Sequence, residues 1–291
     1  MKKLAYLFFF LALFTSNAQN LSETNAFKTY WYAGKAEITS YNLEQARYGE
    51  IRNGHAVMIF VTEPFSKKHN TKADKNHSEN TTVLKLNTTK KFNTGIYPYS
   101  IMTSTFVPVK NPKASLKISS SSQEWCGHEY IELTNKNNAY ILHNFSYFQG
   151  ESFTNKKISK NVILEDDIWS KIRLSPSTLP LGDFKALPSF VWLRFSHKEV
   201  TPYSATGTLK KGTEENTYTI HYPTLDRTLE IVFQSSFPFQ ITRFTETFYS
   251  GWGAKRKQMT SKATLKKTIN IPYWQTNSNK DLYLRNELGI E

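Results

Sequence analysis

Apolar and polar residues alternate with a period of two along much of this chain. Over residues 228–234, Leu229, Ile231 and Phe233 fall on one side, while Thr228, Glu230 and Val232 fall on the other. That is the pattern of a half-buried strand. In 47–62, Val57, Ile59 and Val61 share one face and Met58 and Phe60 the other, which predicts a strand covered on both sides. Further strands are predicted over 30–41, 82–87, 101–109, 114–121, 124–133, 139–148, 206–210, 217–222, 239–249 and 258–269. Arg52-Asn53-Gly54-His55 reads as a hairpin turn, because Asn-Gly accepts the positive φ angles of a type I′ turn. Asn137-Asn138 reads as a second hairpin tip.

Helical signals are few and central. Glu165-Asp166-Asp167 precedes Ile168-Trp169-Ser170-Lys171-Ile172, acids first and a cation later, as a short helix and its dipole prefer. Pro188 can open a second helix over 189–195. Residues 66–82 carry four lysines, His69 and His77 but no large apolar side chain, and read as an exposed loop. Three prolines in 174–188 mark a junction between two β-rich halves, and the tail from Ile271 reads as a loosely docked end. With no βαβ rhythm, the fold class expected is all-β, mainly antiparallel: a strongly curved sheet or open half-barrel with one or two short central helices. Residues 19–291 then form a single β-rich domain.

Composition sharpens this picture. The 291 residues include 20 Phe, 16 Tyr and 6 Trp but only 12 Gly, which excludes disorder and collagen-like repeats. The single cysteine, Cys126, excludes an intramolecular disulfide and any multi-cysteine metal site. At the amino terminus Lys2 and Lys3 precede an apolar run from Leu4 to Phe14, then Ser16 and Ala18 at the −3 and −1 positions of a cleavage site. The run is too short to span a bilayer core of about 30 Å. Residues 1–18 therefore read as a signal peptide. The mature chain is expected in the periplasm, the cell envelope or the medium, and without a lipid anchor, since no cysteine lies near the cleavage site. Without residues 1–18, which hold two lysines and no acid, the formal charge falls from +13 to +11; it points to anionic lipid, acidic glycan or lipopolysaccharide phosphate as counter-surface rather than to nucleic acid, or equally to a lysine-rich surface that keeps the protein soluble.

Three constellations are candidates for function. If 124–130 is one strand, Glu124, Cys126, His128 and Tyr130 share a face, so that two of them could share a metal ion or His128 could take the proton of Cys126. The plain alternative is a buried cysteine beside a hydrogen-bonded histidine. Trp252 between Gly251 and Gly253, followed by Lys255, Arg256 and Lys257, reads as an outward-facing ring beside cations, suited to an anionic interface. The alternative is a solvated hairpin whose lysines blunt a sheet edge. Finally, aromatic residues including Tyr97, Tyr99, Trp125, Phe145, Tyr147, Phe244 and Phe248 either line a pocket for a hydrophobic ligand or fill a core. No nucleophile elbow, P-loop, HExxH or dinucleotide fingerprint is present, and no metal or cofactor is expected.

Three stretches carry a resemblance: residues 34–66, 85–108 and 119–130, the last reading SSSSQEWCGHEY. They resemble a group of exported bacterial proteins of about 300 residues that often bear the label "septum formation inhibitor Maf". The resemblance implies export. Maf pyrophosphatases are cytosolic α/β proteins with an amino-terminal Ser-x-Ser-Pro-Arg-Arg motif, which this chain lacks, so no Maf catalytic residue carries over. The leading expectation is a non-enzymatic envelope protein that binds a hydrophobic or amphipathic ligand or an envelope component. A Cys126–His128 enzyme is the alternative, and a Maf-type nucleotide pyrophosphatase comes third.

Overall fold

One sheet of sixteen strands organises the computed structural model, which describes residues 21–290; the expected leader lies outside them. The strands are β1 (Ala36–Arg47), β2 (Glu50–Ser66), β3 (Thr71–Lys72), β4 (Asn80–Thr94), β5 (Tyr97–Pro108), β6 (Lys117–Glu124), β7 (Gly127–Asn135) and β8 (Tyr140–Ser146). They continue with β9 (Phe153–Ile158), β10 (Ile163–Leu164), β11 (Gly182–Leu187), β12 (Tyr203–Lys210), β13 (Glu215–Tyr222), β14 (Arg227–Gln234), β15 (Ile241–Ser250) and β16 (Lys257–Ile271). The order across the sheet is β10-β11-β12-β13-β14-β15-β16-β1-β2-β4-β5-β6-β7-β8-β9, with the short β3 on β2. Every pairing is antiparallel except β10 with β11. No ladder joins β9 to β10 among the described residues, so the sheet stays open along that seam. The pairing of β16 with β1 fuses the amino- and carboxy-terminal strands into one layer, and residues 182–187, inside the expected junction, are themselves a strand of it.

Four short helices accompany the sheet: α1 (Asn25–Trp31), α2 (Ile168–Leu174), α3 (Phe190–Phe195) and α4 (Tyr283–Leu288). The two central ones stand where the sequence places them. Ile168 and Ile172 of α2 join one buried cluster with Met58 and Leu86 from one side of the sheet and Ile220 and Ile231 from the other. Strands that distant in the order can meet α2 only if the sheet wraps around it. Phe190, Trp192 and Leu193 of α3 close a second cluster with Ile131, Leu133 and Leu142. The aromatic load is therefore spent mainly on a filled core: Phe27, Trp31, Phe60, Tyr99, Tyr218 and Phe233 are all buried. This antiparallel half-barrel is not the α/β layer that a Maf pyrophosphatase requires.

Buried ion pairs hold the helices inside the sheet. Arg173 of α2 makes a two-pronged bond to Glu37 of β1, both contacts 2.5 Å and both side chains buried. Burial alone would raise the Glu37 carboxyl, but the guanidinium holds it below its usual range. The three consecutive acids each go somewhere different. Glu165 takes two 2.6 Å bonds from Arg227 of β14, which also reaches Glu246 of β15. Asp166 accepts from the backbone N–H of Phe190 at 3.2 Å, tying the start of α3. Asp167 accepts from the N–H and hydroxyl of Ser115, just before β6. They were expected to serve the helix dipole. Their buried positions make them ties between layers instead.

Three local expectations fail for identifiable reasons. The first β hairpin turns at Tyr48-Gly49, with φ of 57° and 77°, not at Asn53-Gly54. Gly54 lies inside β2 because a Cβ there would sit 2.1 Å from the Lys91 carbonyl oxygen; close packing, not a turn, requires the glycine. Tyr30 and Trp31, expected in a strand, end α1, which Thr24 caps by accepting from the Phe27 N–H at 3.2 Å. The carboxy-terminal tail is docked: Leu288 and Ile290 cover Ile38, Val57 and Val61 on the outer face, and Ser40 Oγ donates to the Leu288 carbonyl at 2.6 Å. That cover explains why β2 is apolar on both faces.

Candidate functional site

Every second connection of an antiparallel sheet lies at the same end. The turns at 48–49, 95–96, 125–126, 147–152 and 251–256 therefore form one rim of the half-barrel. Large apolar side chains stand out from it: Ile96 is 82% exposed, Tyr147 74%, Trp125 67% and Trp252 62%. Two of these rings are linked through the tyrosines between them. Trp252 lies 4.9 Å from the ring of Tyr48. The Tyr48 hydroxyl is 2.7 Å from that of Tyr99. Tyr99 is 6.0 Å from Tyr97, and Tyr97 stacks on Trp125 at 6.2 Å and 27°. Trp125 and Trp252, more than 120 positions apart in sequence, thus belong with Tyr97 and Tyr99 to one aromatic ledge. Tyr48, its central ring, escaped the sequence reading because Asn53-Gly54 presents a stronger turn signal.

The 251–256 connection sets how Trp252 is shown. Gly251 adopts φ +91°, and a Cβ there would meet the Lys255 carbonyl oxygen at 2.5 Å. The glycine is needed for the loop to fold back on itself, and the indole is left on the outside. Lys255, Arg256 and Lys257 are exposed beside it, with the Arg256 guanidinium 4.2 Å from the centre of the Tyr249 ring. Behind Trp252 lies a pocket of about 320 Å³, bounded by Arg47, Tyr48, Lys198, Asp226 and Arg256. Arg47 is buried at its floor, 4.2 Å from the Tyr48 ring and 4.5 Å from that of Phe195.

Comparison with known proteins adds little to this geometry. No protein-family model and no curated protein matches the chain. Among solved structures, a β-barrel-like protein of a domain of unknown function from Brucella abortus is similar at 7% identity and a TM-score of 0.42, over 81% of this chain and 98% of that one. A likeness of that strength carries no argument about function.

The Cys126–His128 arrangement is not formed. Residues 124–130 are not one strand: Glu124 pairs with Gly127, so Trp125 and Cys126 are the two-residue turn between β6 and β7. The reversal separates the side chains that alternation would have aligned. Cys126 is exposed, and no hydrogen bond joins it to His128 among the described residues. Its thiol is pushed above the ordinary value by the hydrogen bond with the Glu124 carboxylate, the opposite of nucleophile activation. His69 and His77 lie in the exposed loop, and no group of metal-ligating side chains is found among the described residues.

Inside the half-barrel, a cavity of about 60 Å³ lies between the sheet and the two central helices, next to Lys90, Asp166, Glu246, Trp169 and Phe244. Burial pushes the Lys90 ammonium down and the Asp166 carboxyl up to about 7. The rim presents Ile96, Trp125, Tyr147 and Trp252 to a large amphipathic partner; Trp274, Leu282 and Tyr283 near the carboxy terminus are exposed as well.

Proposed function

We propose that this chain is a non-enzymatic, exported envelope protein that docks by its aromatic rim on an anionic phospholipid surface. The carrying observation is the exposure, at one end of the half-barrel, of Ile96, Trp125, Tyr147 and Trp252 with Lys255, Arg256 and Lys257 beside them. Indole and phenol rings are stable where one side is apolar and the other wet, and each near-surface cation adds about 1 kcal/mol toward an anionic leaflet at moderate salt. The basic chain and the leader motif at residues 1–18 support a location where such lipid is met. No helix among the described residues is long and apolar enough to cross a membrane, and docking by hairpin tips needs none.

Co-sedimentation of the mature protein with phosphatidylglycerol and phosphatidylcholine vesicles tests this reading. Pelleting with the anionic vesicles, weakened by salt, is expected. Protein that stays in the supernatant with both removes its basis.

A further inference from the structure

The pocket behind Trp252 has a charge pattern that rim docking alone does not explain. Arg47 is buried, yet its guanidinium has no carboxylate within ion-pair distance among the described residues. Nε donates to the Tyr99 hydroxyl at 3.4 Å, Nη1 to the Phe195 carbonyl at 2.7 Å, and Nη2 to the hydroxyls of Tyr48 and Tyr99 at 3.1 and 3.3 Å. A guanidinium has five N–H groups, so one on Nη1 is left over. Rings on Tyr48, Tyr99 and Phe195 supply cation–π attraction, which is weaker than a counter-ion for a desolvated charge.

Elsewhere this molecule treats its buried arginines differently. Arg173, Arg194 and Arg227 each face at least one carboxylate. At the pocket, Lys198 and Arg256 also lack a carboxylate partner among the described residues, and Asp226 is the one acid in the wall. His197, also in the wall, does not change this balance, since its Nδ1 is held 2.6 Å from Glu151. Three cations against one acid leave an excess of positive charge around an open space of about 320 Å³. That volume suits a single sugar-sized ligand. The indole of Trp252, tilted 34° to Tyr48, offers a flat apolar face beside the charges, of the kind against which the C–H face of a sugar ring packs.

We infer that this pocket binds a phosphorylated sugar, the phosphate facing Arg47, Lys198 and Arg256 and the ring lying against Trp252. Phosphate is favoured over a carboxylate because a dianion can satisfy more than one cation and offers several acceptor oxygens. The inference deepens the docking reading and rests on it for the source of the ligand, an amphiphile headgroup; a free sugar phosphate has the same chemistry.

Calorimetric titration of the mature protein with glucose 1-phosphate, inorganic phosphate and glucose tests the inference. Glucose 1-phosphate is expected to bind at least tenfold more tightly than either component. The exposed-site variants Lys198→Ser/Arg256→Ser and Trp252→Ala should each weaken it about tenfold while leaving the thermal midpoint in place. No heat with glucose 1-phosphate, equal affinity for inorganic phosphate, or unchanged affinity in both variants overturns the pocket. Vesicle pelleting, measured in parallel, keeps the two readings apart. Pelleting without glucose 1-phosphate binding sinks the pocket and spares the rim. Glucose 1-phosphate binding without pelleting spares the pocket as a site for free sugar phosphate and sinks the rim.

Discussion

The hollow of the half-barrel and its rim are built from the same residue types put to opposite uses. In the hollow, Trp31, Phe60, Tyr218 and Phe233 are buried, and Arg173 and Arg227 are locked to Glu37 and Glu165. At the rim, Trp125, Tyr147 and Trp252 face solvent, and Arg256 and Lys198 have no carboxylate partner among the described residues. An aromatic–arginine pair is therefore a stabilising element in one place and an unfilled surface in the other. What separates them is whether a carboxylate and a second layer are present. The comparison predicts that hollow substitutions change stability with little effect on binding, and rim substitutions the reverse.

The largest effect is expected at Arg227. Arg227→Met strands Glu165 and Glu246 in the interior without their cation and should cost about 3–5 kcal/mol, read as a loss in denaturant midpoint. Vesicle affinity per folded molecule should not move. A stable Arg227→Met protein would mean that the hollow does not depend on its ion pairs.

Acid–base behaviour gives the next effect. Burial, then the neighbouring Glu165, raises the Asp166 carboxyl from the ordinary carboxylate range up to about 7. The folded state thus holds this proton more tightly than the unfolded chain. Its stabilising contribution is complete below the unfolded value and is lost as pH rises from about 4 through 7, by roughly 2–4 kcal/mol. Asp166→Asn, which imitates the protonated acid, should flatten the stability profile in that window. A profile unchanged by the substitution would show that Asp166 ionises freely in the fold.

Rim effects are smaller and fall on binding. Trp125→Ala or Trp252→Ala should lower affinity for phosphatidylglycerol vesicles about tenfold, the equivalent of burying part of an aromatic side chain, and shift stability by less than ~0.5 kcal/mol. Lys255→Glu with Lys257→Glu should produce a similar loss that disappears at high salt. An equal loss in high salt would remove the electrostatic part of the comparison.

Much of the hollow was legible in the amino-acid pattern, and less of the rim. Alternation in β2 and β14 is strong because each strand buries a whole face, and the two central helices stand out as breaks in a β rhythm. Trp252 was legible too, since flanking glycines have no use around a core indole. Contacts that join distant segments were not. Nothing local connects Tyr48 to Trp252, or Glu165 to Arg227, and the turn at Trp125-Cys126 has neither glycine nor asparagine at its two central positions, only Gly127 closing it. The expected Cys126–His128 pair failed at that turn. The filled hollow was equally hidden, because a core aromatic and a pocket-lining aromatic have the same sequence signature.

One measurement bears most directly on the rim: quenching of tryptophan emission by phosphatidylglycerol vesicles containing lipid brominated on its acyl chains. Trp31 and Trp192 are buried in the described fold, whereas Trp125 and Trp252 are exposed at the rim. Docking by the rim predicts partial quenching that disappears in the Trp125→Tyr/Trp252→Tyr variant, while that variant still pellets with the vesicles. Quenching of the same extent in wild type and variant, or none in wild-type protein that has pelleted, would contradict it.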